Sequence, residues 1–214
     1  MYQNDAQRVL TGEVRCSYVN VHTPRQINNM GKPKYTMTAL IPKTDAATIA
    51  DIQSAMKAAV DKGISDPKVG WGGVKPAKLV TTLYDGDGVK PESGEPWGEE
   101  CKGHWVLRMS ADENHRPQVV GIDNVKVELD PRDVYSGMYA RVTLRFFPYK
   151  HSTGKAGIGC GLGNILKVRD GEPLSGGTTA ENDFAGIAQA AAPAGTATQA
   201  AGAPTINPVT GLPF

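Results

Sequence analysis

The chain has 214 residues, of which 40% are hydrophobic and 21% charged, and its formal net charge is only +1. This composition is typical of a soluble globular protein with room for one sizeable core, and no apolar run approaches the ~20 residues that a membrane helix needs. The three cysteines are far apart and form no C-x-x-C pair, which predicts reduced thiols rather than a disulfide frame or a zinc site. The opening MYQNDAQRVL has no basic region followed by an apolar stretch, so we expect no secretory signal.

The charges are unevenly distributed along the chain. Residues 134–169 contain six Lys or Arg and no acid, and residues 14–44 contain five and no acid. Residues 85–100 reverse this balance with six acids against Lys90 alone, and no Lys or Arg follows Asp170. Segregated basic surface is expected of a protein that meets a polyanion.

The first half of the sequence predicts two strands and a helix. Residues 8–21, RVLTGEVRCSYVNV, are rich in β-formers, and residues 35–42, YTMTALIP, alternate as a second strand. Between them HTPRQINNMGKPK is predicted to be a loop from its prolines, glycine and paired asparagines. A helix follows, capped by Thr44 or Asp45 and continuing with helical apolar spacing to Gly63, which occupies the C′ position.

The second half predicts short strands separated by loops. Residues 65–78 form a loop around Trp71, and residues 85–100 form an acidic loop that we expect to be mobile. LVTTLYD, GHWVLRMSA, QVVGID and VKVEL are short strand candidates, followed by the longer YARVTLRFFPYK and KAGIGCGLGNILKVR. This pattern predicts a mainly β fold, a small barrel with one inserted helix and long loops. Beyond Asp170 the Ala, Gly, Thr and Pro composition predicts a disordered tail.

Residues 139–150 carry two different faces of one strand. Alternate positions give an ordinary core face, whereas the other face interleaves rings with cations: Tyr139, Arg141, Arg145, Phe147 and Tyr149. Sequence-tolerant binding of single-stranded nucleic acid needs rings on which bases stack and cations along the backbone. On a lone strand such a face is more often solvated surface, but three rings and two arginines inside the acid-free window favour binding.

Three other motifs give weaker indications of function than residues 139–150 do. KAGIGCGLG fails the phosphate-loop patterns and predicts a strand with one bare face, which another backbone or a ligand approaches closely. DGDG lacks the later residues of a calcium loop, and the histidines form no metal-binding cluster. Trp71, flanked by glycines and near lysines, fits base stacking and core packing equally well.

Several runs, taken together, resemble a tailed-phage family of single-stranded DNA-binding proteins that is typified by an Enterobacter-phage protein. They are GEVRCSYVNVHTP, KPKYTMTALIPK, KVGWGG, DPRDVYSGMYARVTLRFFPY, GIGCGLGNILKVRDGEPLSGG and AENDF, in collinear order over about residues 9–184. The resemblance implies a five-stranded oligonucleotide-binding (OB) barrel. It also implies that the protein coats single strands during phage DNA replication or recombination. We expect it in the cytoplasm of the infected bacterial host, or in the bacterial cytoplasm if a prophage encodes it.

The resemblance places a binding groove on basic and aromatic residues in the matching runs: Arg15, Lys32, Lys34, Tyr35, Trp71, Arg141, Arg145, Phe147 and Tyr149. Tyr139, Lys150 and Lys155, from the same acid-free window, complete the candidate site. We expect residues 1–175 to form the OB domain and residues 176–214 a low-complexity tail. The tail ends in Leu-Pro-Phe, similar to the Pro-Phe end of bacterial single-strand-binding proteins but without their acids, so it either recruits phage or host replication proteins or is passive.

We expect no enzyme activity, cofactor, metal or membrane contact, and an oligomer is compatible with the sequence. Three alternatives remain open at this point. A strand-annealing recombination mediator would share the groove, and a phage structural protein would use the basic face as a subunit interface. A nuclease would need metal ligands, and the scattered acids and histidines disfavour it.

Overall fold

The computed structural model describes residues 5–27 and 30–174. The chain divides into two units, Met1–Ser175 and Gly176–Phe214, and all described residues belong to the first unit. The predicted tail lies outside the described residues, so the division into a binding domain and a tail stays a prediction. In the part of the chain that is described, no helix combines the length and apolar character needed to cross a membrane.

The described residues form strands with one α-helix inserted among them. The strands are β1 (Arg8–Leu10), β2 (Val14–Ile27), β3 (Met30–Pro42), β4 (Leu79–Val80), β5 (Leu83–Asp85), β6 (His104–Asp112), β7 (Val119–Gly121), β8 (Tyr139–Lys150) and β9 (Ala156–Arg169). Helix α1 (Ala46–Ser65) follows β3, and short 3-10 turns occur at Pro67–Val69, Glu99–Cys101 and Pro131–Asp133.

Five of these strands close into a ring. Strand β2 pairs antiparallel with β3, β3 with β6, and β8 with both β9 and β2. The ring is completed where β6 and β9 pair in parallel, at Ser110 and Gly161. A closed five-stranded ring with one inserted helix confirms the mainly β, OB-fold-like architecture predicted from the sequence.

The core lies inside this ring and under the helix. Inward side chains of β8 are completely buried beside those of β3 and β6, with Phe146, Met37 and Leu107 among the largest. Helix α1 adds Ile52, Ala55 and Ala59 to the same cluster and packs on β8. The outward face of β8 is therefore held on a rigid support.

Helix α1 begins as predicted and ends later than predicted. The backbone N–H of Thr48 donates a hydrogen bond of 3.0 Å to Asp45 Oδ1, which caps the first turn. The helix continues past Gly63 to Ser65, so the prediction that Gly63 is the C′ residue is wrong. Gly63 is buried in the helix instead, where an added Cβ would lie 2.5 Å from the ring of Trp71.

Two strand predictions needed correction. The single strand predicted over residues 8–21 is interrupted at Gly12, whose N–H donates a hydrogen bond to Thr48 Oγ1 of α1. The loop predicted over residues 22–34 is largely strand, because β2 and β3 continue to pair at Arg25 and Lys34. Register shifts along β2 accommodate Pro24, which cannot donate to a regular ladder.

Contacts tie the acidic residues 85–100 to the ring, although the composition predicts a mobile loop. Lys43 Nζ forms ion pairs with Asp85 at 2.5 Å and with Asp87 at 2.7 Å. Trp97 packs against a small cluster that contains Leu40. Residues 125–129, predicted as a strand, make only a single bridge in the described residues, between Val120 and Glu128.

Candidate nucleic-acid interface

Strand β8 presents the two faces that its sequence predicts. Its inward residues are buried: Ala140, Val142, Leu144 and Phe146. On the outward face Arg141 and Arg145 are exposed, Phe147 is 43% exposed and Tyr149 is half-buried. The alternation follows from the pleat of the strand, which places successive side chains on opposite faces.

Glycines of β9 lie beneath the two rings of β8. Phe147 is opposite Gly159 and Tyr149 is opposite Gly157 in the antiparallel register. A Cβ added at Gly159 would lie 2.6 Å from Phe147 Cζ, and one added at Gly157 would lie 2.7 Å from Tyr149 Oη. The bare face predicted for β9 therefore accommodates the rings of its neighbouring strand.

A groove made of three adjoining depressions crosses the outer face of the ring. The first, of about 690 Å³, and the second, of about 480 Å³, share Lys34, Ser110 and Phe147. The third, of about 320 Å³, shares Tyr18, Thr38 and Arg108 with the second. Because neighbouring depressions have lining residues in common, they form one continuous path, which we call the groove.

Small hydroxyl side chains and rings line the middle of the groove. Thr36, Thr38 and Ser110 supply hydroxyls that can both donate and accept hydrogen bonds. Phe147 and Tyr149 stand on one side of this depression, over the glycine face of β9. The combination gives flat apolar surface beside adaptable polar groups, which suits a stacked base.

Cations of the groove are oriented by acidic partners. Arg145 Nε lies 3.3 Å from Asp5 Oδ2, and Arg108 pairs with Glu92 of the acidic loop. The Arg108 guanidinium also lies over two rings, 5.2 Å from the centroid of Tyr84 and 5.1 Å from that of Trp97. The hydrogen bond from Arg108 holds the pKa of the Glu92 carboxyl below its usual range, so this carboxylate is charged at neutral pH.

Three predicted residues lie at the other end of β8 and do not line the groove. The Arg169 guanidinium is 3.5 Å from the ring centroid of Tyr139 and covers that ring. Arg15 donates a hydrogen bond to the carbonyl of Glu172, and Arg141 donates one to the carbonyl of Thr11. The structure thus separates this cluster from Lys34, Arg145, Phe147 and Tyr149.

Trp71 and Tyr35 are core residues, each 7% exposed. Trp71 Nε1 donates a hydrogen bond of 3.1 Å to the carbonyl oxygen of Tyr149. Its ring packs on Gly63, so of the two interpretations of Trp71 the structure shows core packing. Tyr35 points inward because it shares the buried alternate positions of β3 with Met37. Neither ring is presented to the surface, although the resemblance places both in the binding groove.

The three remaining predicted lysines are exposed at the ends of strands. Lys32 lies on the β2–β3 hairpin and Lys155 on the β8–β9 connection. Lys150 Nζ donates a hydrogen bond of 2.8 Å to the carbonyl of Gly70. None of the three lines the groove, and their part in binding stays a prediction.

Tyr18 and Arg108 are among the groove residues that sequence reasoning missed. Tyr18 continues the alternate positions of Val14 and Cys16, whose side chains point inward. No neighbouring residue in the sequence indicates that the Tyr18 side chain turns outward. Arg108 carried a signal, because Leu107 and Met109 on either side of it are inward-facing. A single cation on a strand is common on any solvated surface, so this signal by itself does not predict binding.

Among the described residues no group of three or more His, Cys, Asp or Glu could hold a metal ion. All three cysteines are free and buried. Burial raises the pKa of Cys16 to about 12 and that of Cys101 to about 11, which keeps both thiols protonated and unreactive.

An OB-like closed set of strands, with aromatic side chains and cations along a groove on its outer face, is typical of oligonucleotide-binding proteins. The sequence model of the family described as Enterobacter phage Enc34 ssDNA-binding protein matches residues 7–194, and the chain belongs to this family. No curated protein matches the chain.

Solved structures of the bacteriophage Enc34 single-stranded DNA-binding protein are similar to this chain. The complex with ssDNA is 24% identical, with a TM-score of 0.65, and the similarity covers 79% of this chain and 90% of that one. A C-terminal truncation of the same protein is 25% identical, with a TM-score of 0.62 and the same coverage. The shared fold is that of the ring described above.

Proposed function

We propose that this protein binds single-stranded DNA with little sequence preference and protects it during phage DNA replication or recombination, in the cytoplasm of the infected bacterium. The observation that carries the proposal is the pairing of Phe147 and Tyr149 over the glycines of β9, in the same groove as Lys34 and Arg145. Bases stack on the two rings, and the cations follow the phosphates.

The family supports this assignment. The description of the family names single-stranded DNA binding, and one similar solved structure is a complex with ssDNA. The OB architecture commonly binds oligonucleotides across its sheet face and adjoining loops, where this groove lies.

Little sequence preference follows from the chemistry of the groove. Every base has a π-face, so stacking on Phe147 or Tyr149 does not distinguish one base from another. The hydroxyls of Thr36, Thr38 and Ser110 donate as well as accept hydrogen bonds, which lets them adapt to different base edges. We propose binding alone, with no catalytic step.

Fluorescence anisotropy of labelled oligo-dT, titrated with the full chain at two salt concentrations, tests the proposal. Unlabelled duplex of equal length serves as competitor. We expect duplex to compete poorly and log affinity to fall with log salt at about −0.7 per phosphate contact. Equal binding to duplex and single strand, or no binding, would contradict the proposal and favour a phage structural protein. If binding is confirmed, annealing of complementary strands tests the recombination-mediator alternative.

A further inference from the structure

Tyr18 combines two features that folding alone does not explain. Its side chain is 70% exposed, and its backbone has φ +48°, in the left-handed region. In the part of the chain that the structure describes, it is the only non-glycine residue with positive φ. This conformation is costly for a bulky side chain, and such outliers concentrate at functional sites.

A β-bulge in β2 turns Tyr18 outward. Val14 and Cys16 are completely buried, so regular alternation would bury Tyr18 as well. The register with β3 shifts between Ser17 and Asn20, and Ser17 is buried although its neighbour faces solvent. A bulge of this kind can redirect a single side chain without disturbing the rest of the strand.

The bulge is held from both sides. Asn20 Nδ2 donates hydrogen bonds to the carbonyl of Tyr18 at 3.0 Å and to Thr36 Oγ1 at 3.3 Å. The N–H of Val19 donates a hydrogen bond of 3.1 Å to Ser136 Oγ. The backbone that presents the ring is therefore fixed in advance, and little ordering remains to be done on binding.

The position of the ring relates it to the groove. Tyr18 lines both the second and the third depression, and the second depression also contains Phe147 and Tyr149. Arg108 lines the same two depressions as Tyr18. An exposed ring and a cation therefore share a depression here, as Phe147 and Arg145 share the first depression.

We infer that Tyr18 is a third base-stacking residue, which extends the single-stranded DNA path from Phe147 and Tyr149 into the third depression. The inference rests on the proposed function and adds to it the direction in which the strand continues. Phosphates near this base lie close to Arg108. The strained backbone is retained because it presents the ring to DNA.

The inference predicts how affinity depends on oligonucleotide length. An OB fold binds ~4–16 nucleotides, and each stacked base contributes ~1–3 kcal/mol, which corresponds to about 5- to 150-fold in Kd. In the wild type, affinity for oligo-dT should rise until the strand reaches Tyr18. In Tyr18→Ala, affinity should stop rising at a shorter length, and the longer oligonucleotides should lose about 5- to 150-fold.

Three further variants of the full chain make the test specific. Tyr18→Phe keeps the ring and should follow the wild type at every length. Val125→Ala removes an exposed side chain that does not line the groove, and it should also follow the wild type. Tyr18→Gly removes the ring but suits positive φ, so its melting temperature should equal or exceed that of the wild type while its long-oligonucleotide affinity falls.

The outcomes separate this inference from the proposed function. If wild type binds but Tyr18→Ala follows Val125→Ala at all lengths, Tyr18 does not stack and the inference is wrong. If Tyr18→Gly lowers the melting temperature markedly, the tyrosine serves folding and the inference is again wrong. If the wild type binds no oligo-dT, the proposed function fails, and the inference fails with it.

Discussion

Arg145 and Phe147 are two residues apart on one face of β8, yet they should contribute to binding in different ways. Arg145 is exposed in the first depression, where Asp5 orients its guanidinium. Replacing it in Arg145→Ala removes one cation from the phosphate path, so the slope of log affinity against log salt should become less steep by about 0.7. Anisotropy titrations of oligo-dT at four or more salt concentrations, roughly evenly spaced on a log scale, measure that slope.

Arg132→Ala is the matched control for this experiment. Arg132 is also exposed and paired with a carboxylate, that of Asp130, but it lies outside the groove. The control removes the same net charge, so an equal change in both variants would mean that the slope reports total charge rather than a contact of Arg145. An unchanged slope in Arg145→Ala would remove that residue from the phosphate path.

Phe147 should act through stacking. Phe147→Ala should weaken oligo-dT binding by ~1–3 kcal/mol and leave the salt slope unchanged, because no charge is lost. Phe147→Leu keeps apolar cover over Gly159 but has no flat ring, so it should lose nearly as much affinity as the alanine variant. Wild-type affinity in Phe147→Leu would show that the position supplies apolar contact and not stacking. The same titrations measure both quantities.

At this scale the sequence predicts some groove residues and misplaces others for identifiable reasons. The outward face of β8 could be predicted because period-2 alternation needs no knowledge of the partner strands. Tyr35 obeys the same alternation, but its inward direction depends on which face of β3 meets the core. Tyr18 is exposed by a bulge, and a bulge arises from cross-strand register that one strand does not encode.

The pairing of β8 with β9 positions the aromatic rings of Phe147 and Tyr149 over the glycines of β9. Gly159→Ala places a Cβ 2.6 Å from Phe147 Cζ, and because this ring is half-exposed it can rotate away at little cost in stability. We therefore expect a loss of oligo-dT affinity of up to ~1–3 kcal/mol, as for removal of the ring, with a nearly unchanged melting temperature.

Gly161→Ala provides the comparison on the same strand. Its added Cβ would approach the Arg145 carbonyl oxygen at 3.4 Å, an ordinary contact, so the variant should bind like the wild type. If Gly159→Ala binds as well as Gly161→Ala, the ring of Phe147 does not need its position over the glycine.

The acidic loop should compete with DNA at Arg108. Its Glu92 carboxylate pairs with Arg108, which lines the second and third depressions, and the low pKa of Glu92 keeps it charged at neutral pH. Glu92→Gln removes that competitor, so affinity for long oligo-dT should rise by about 2- to 5-fold at low salt, the range of an exposed ion pair. Anisotropy titrations at low and high salt measure the change.

Glu95→Gln controls for the charge of the loop. Glu95 accepts a hydrogen bond from Ser93 rather than from Arg108, so the variant changes the same charge without freeing the arginine. An equal rise in oligo-dT affinity for both variants would indicate general repulsion between the loop and DNA. Unchanged or weaker binding in Glu92→Gln would contradict competition at Arg108.

Elements with strong local patterns could be predicted, and those that depend on pairing could not. Strands β6, β8 and β9 and the start of α1 follow from alternation and from the Asp45 cap. Only residues 22–34 of the β2–β3 hairpin are predicted as a loop, because prolines and asparagines favour turns locally. Antiparallel pairing of Arg25 with Lys34 nevertheless extends both strands into this segment.

In the molecule as a whole, Trp71 connects helix α1 to the closed set of strands. Its ring packs on Gly63 of α1 and its Nε1 bonds the carbonyl of Tyr149 on β8. Trp71→Ala should reduce the free energy of unfolding by about 3–5 kcal/mol, the usual cost of deleting a buried large ring. Denaturant unfolding monitored by far-UV circular dichroism, without DNA, measures the change.

Trp71→Phe should lose less stability, because it keeps apolar volume against Gly63 while giving up the hydrogen bond. The base-stacking alternative for Trp71 makes the opposite prediction. It would be favoured if Trp71→Ala left unfolding unchanged and weakened DNA binding.

The closure of the ring could not be derived from local patterns. It depends on the pairing of β2 with β8 and on the parallel contact of β6 with β9, between residues far apart in sequence. Local patterns predicted a small β barrel, and the OB assignment came from the resemblance of whole runs to a phage family. The separation of Arg15, Tyr139 and Arg141 from the groove likewise depends on how the strands curve and pair.

Ultraviolet cross-linking of oligo-dT to the full chain, with the adducts mapped by peptide mass spectrometry, tests the central claim most directly. If single-stranded DNA lies in the groove, adducts should fall on aromatic residues that line it, such as Phe147, Tyr149, Tyr18 or Trp97. Adducts confined to aromatic residues outside the groove, such as Tyr135, would contradict the claim that this groove binds single-stranded DNA.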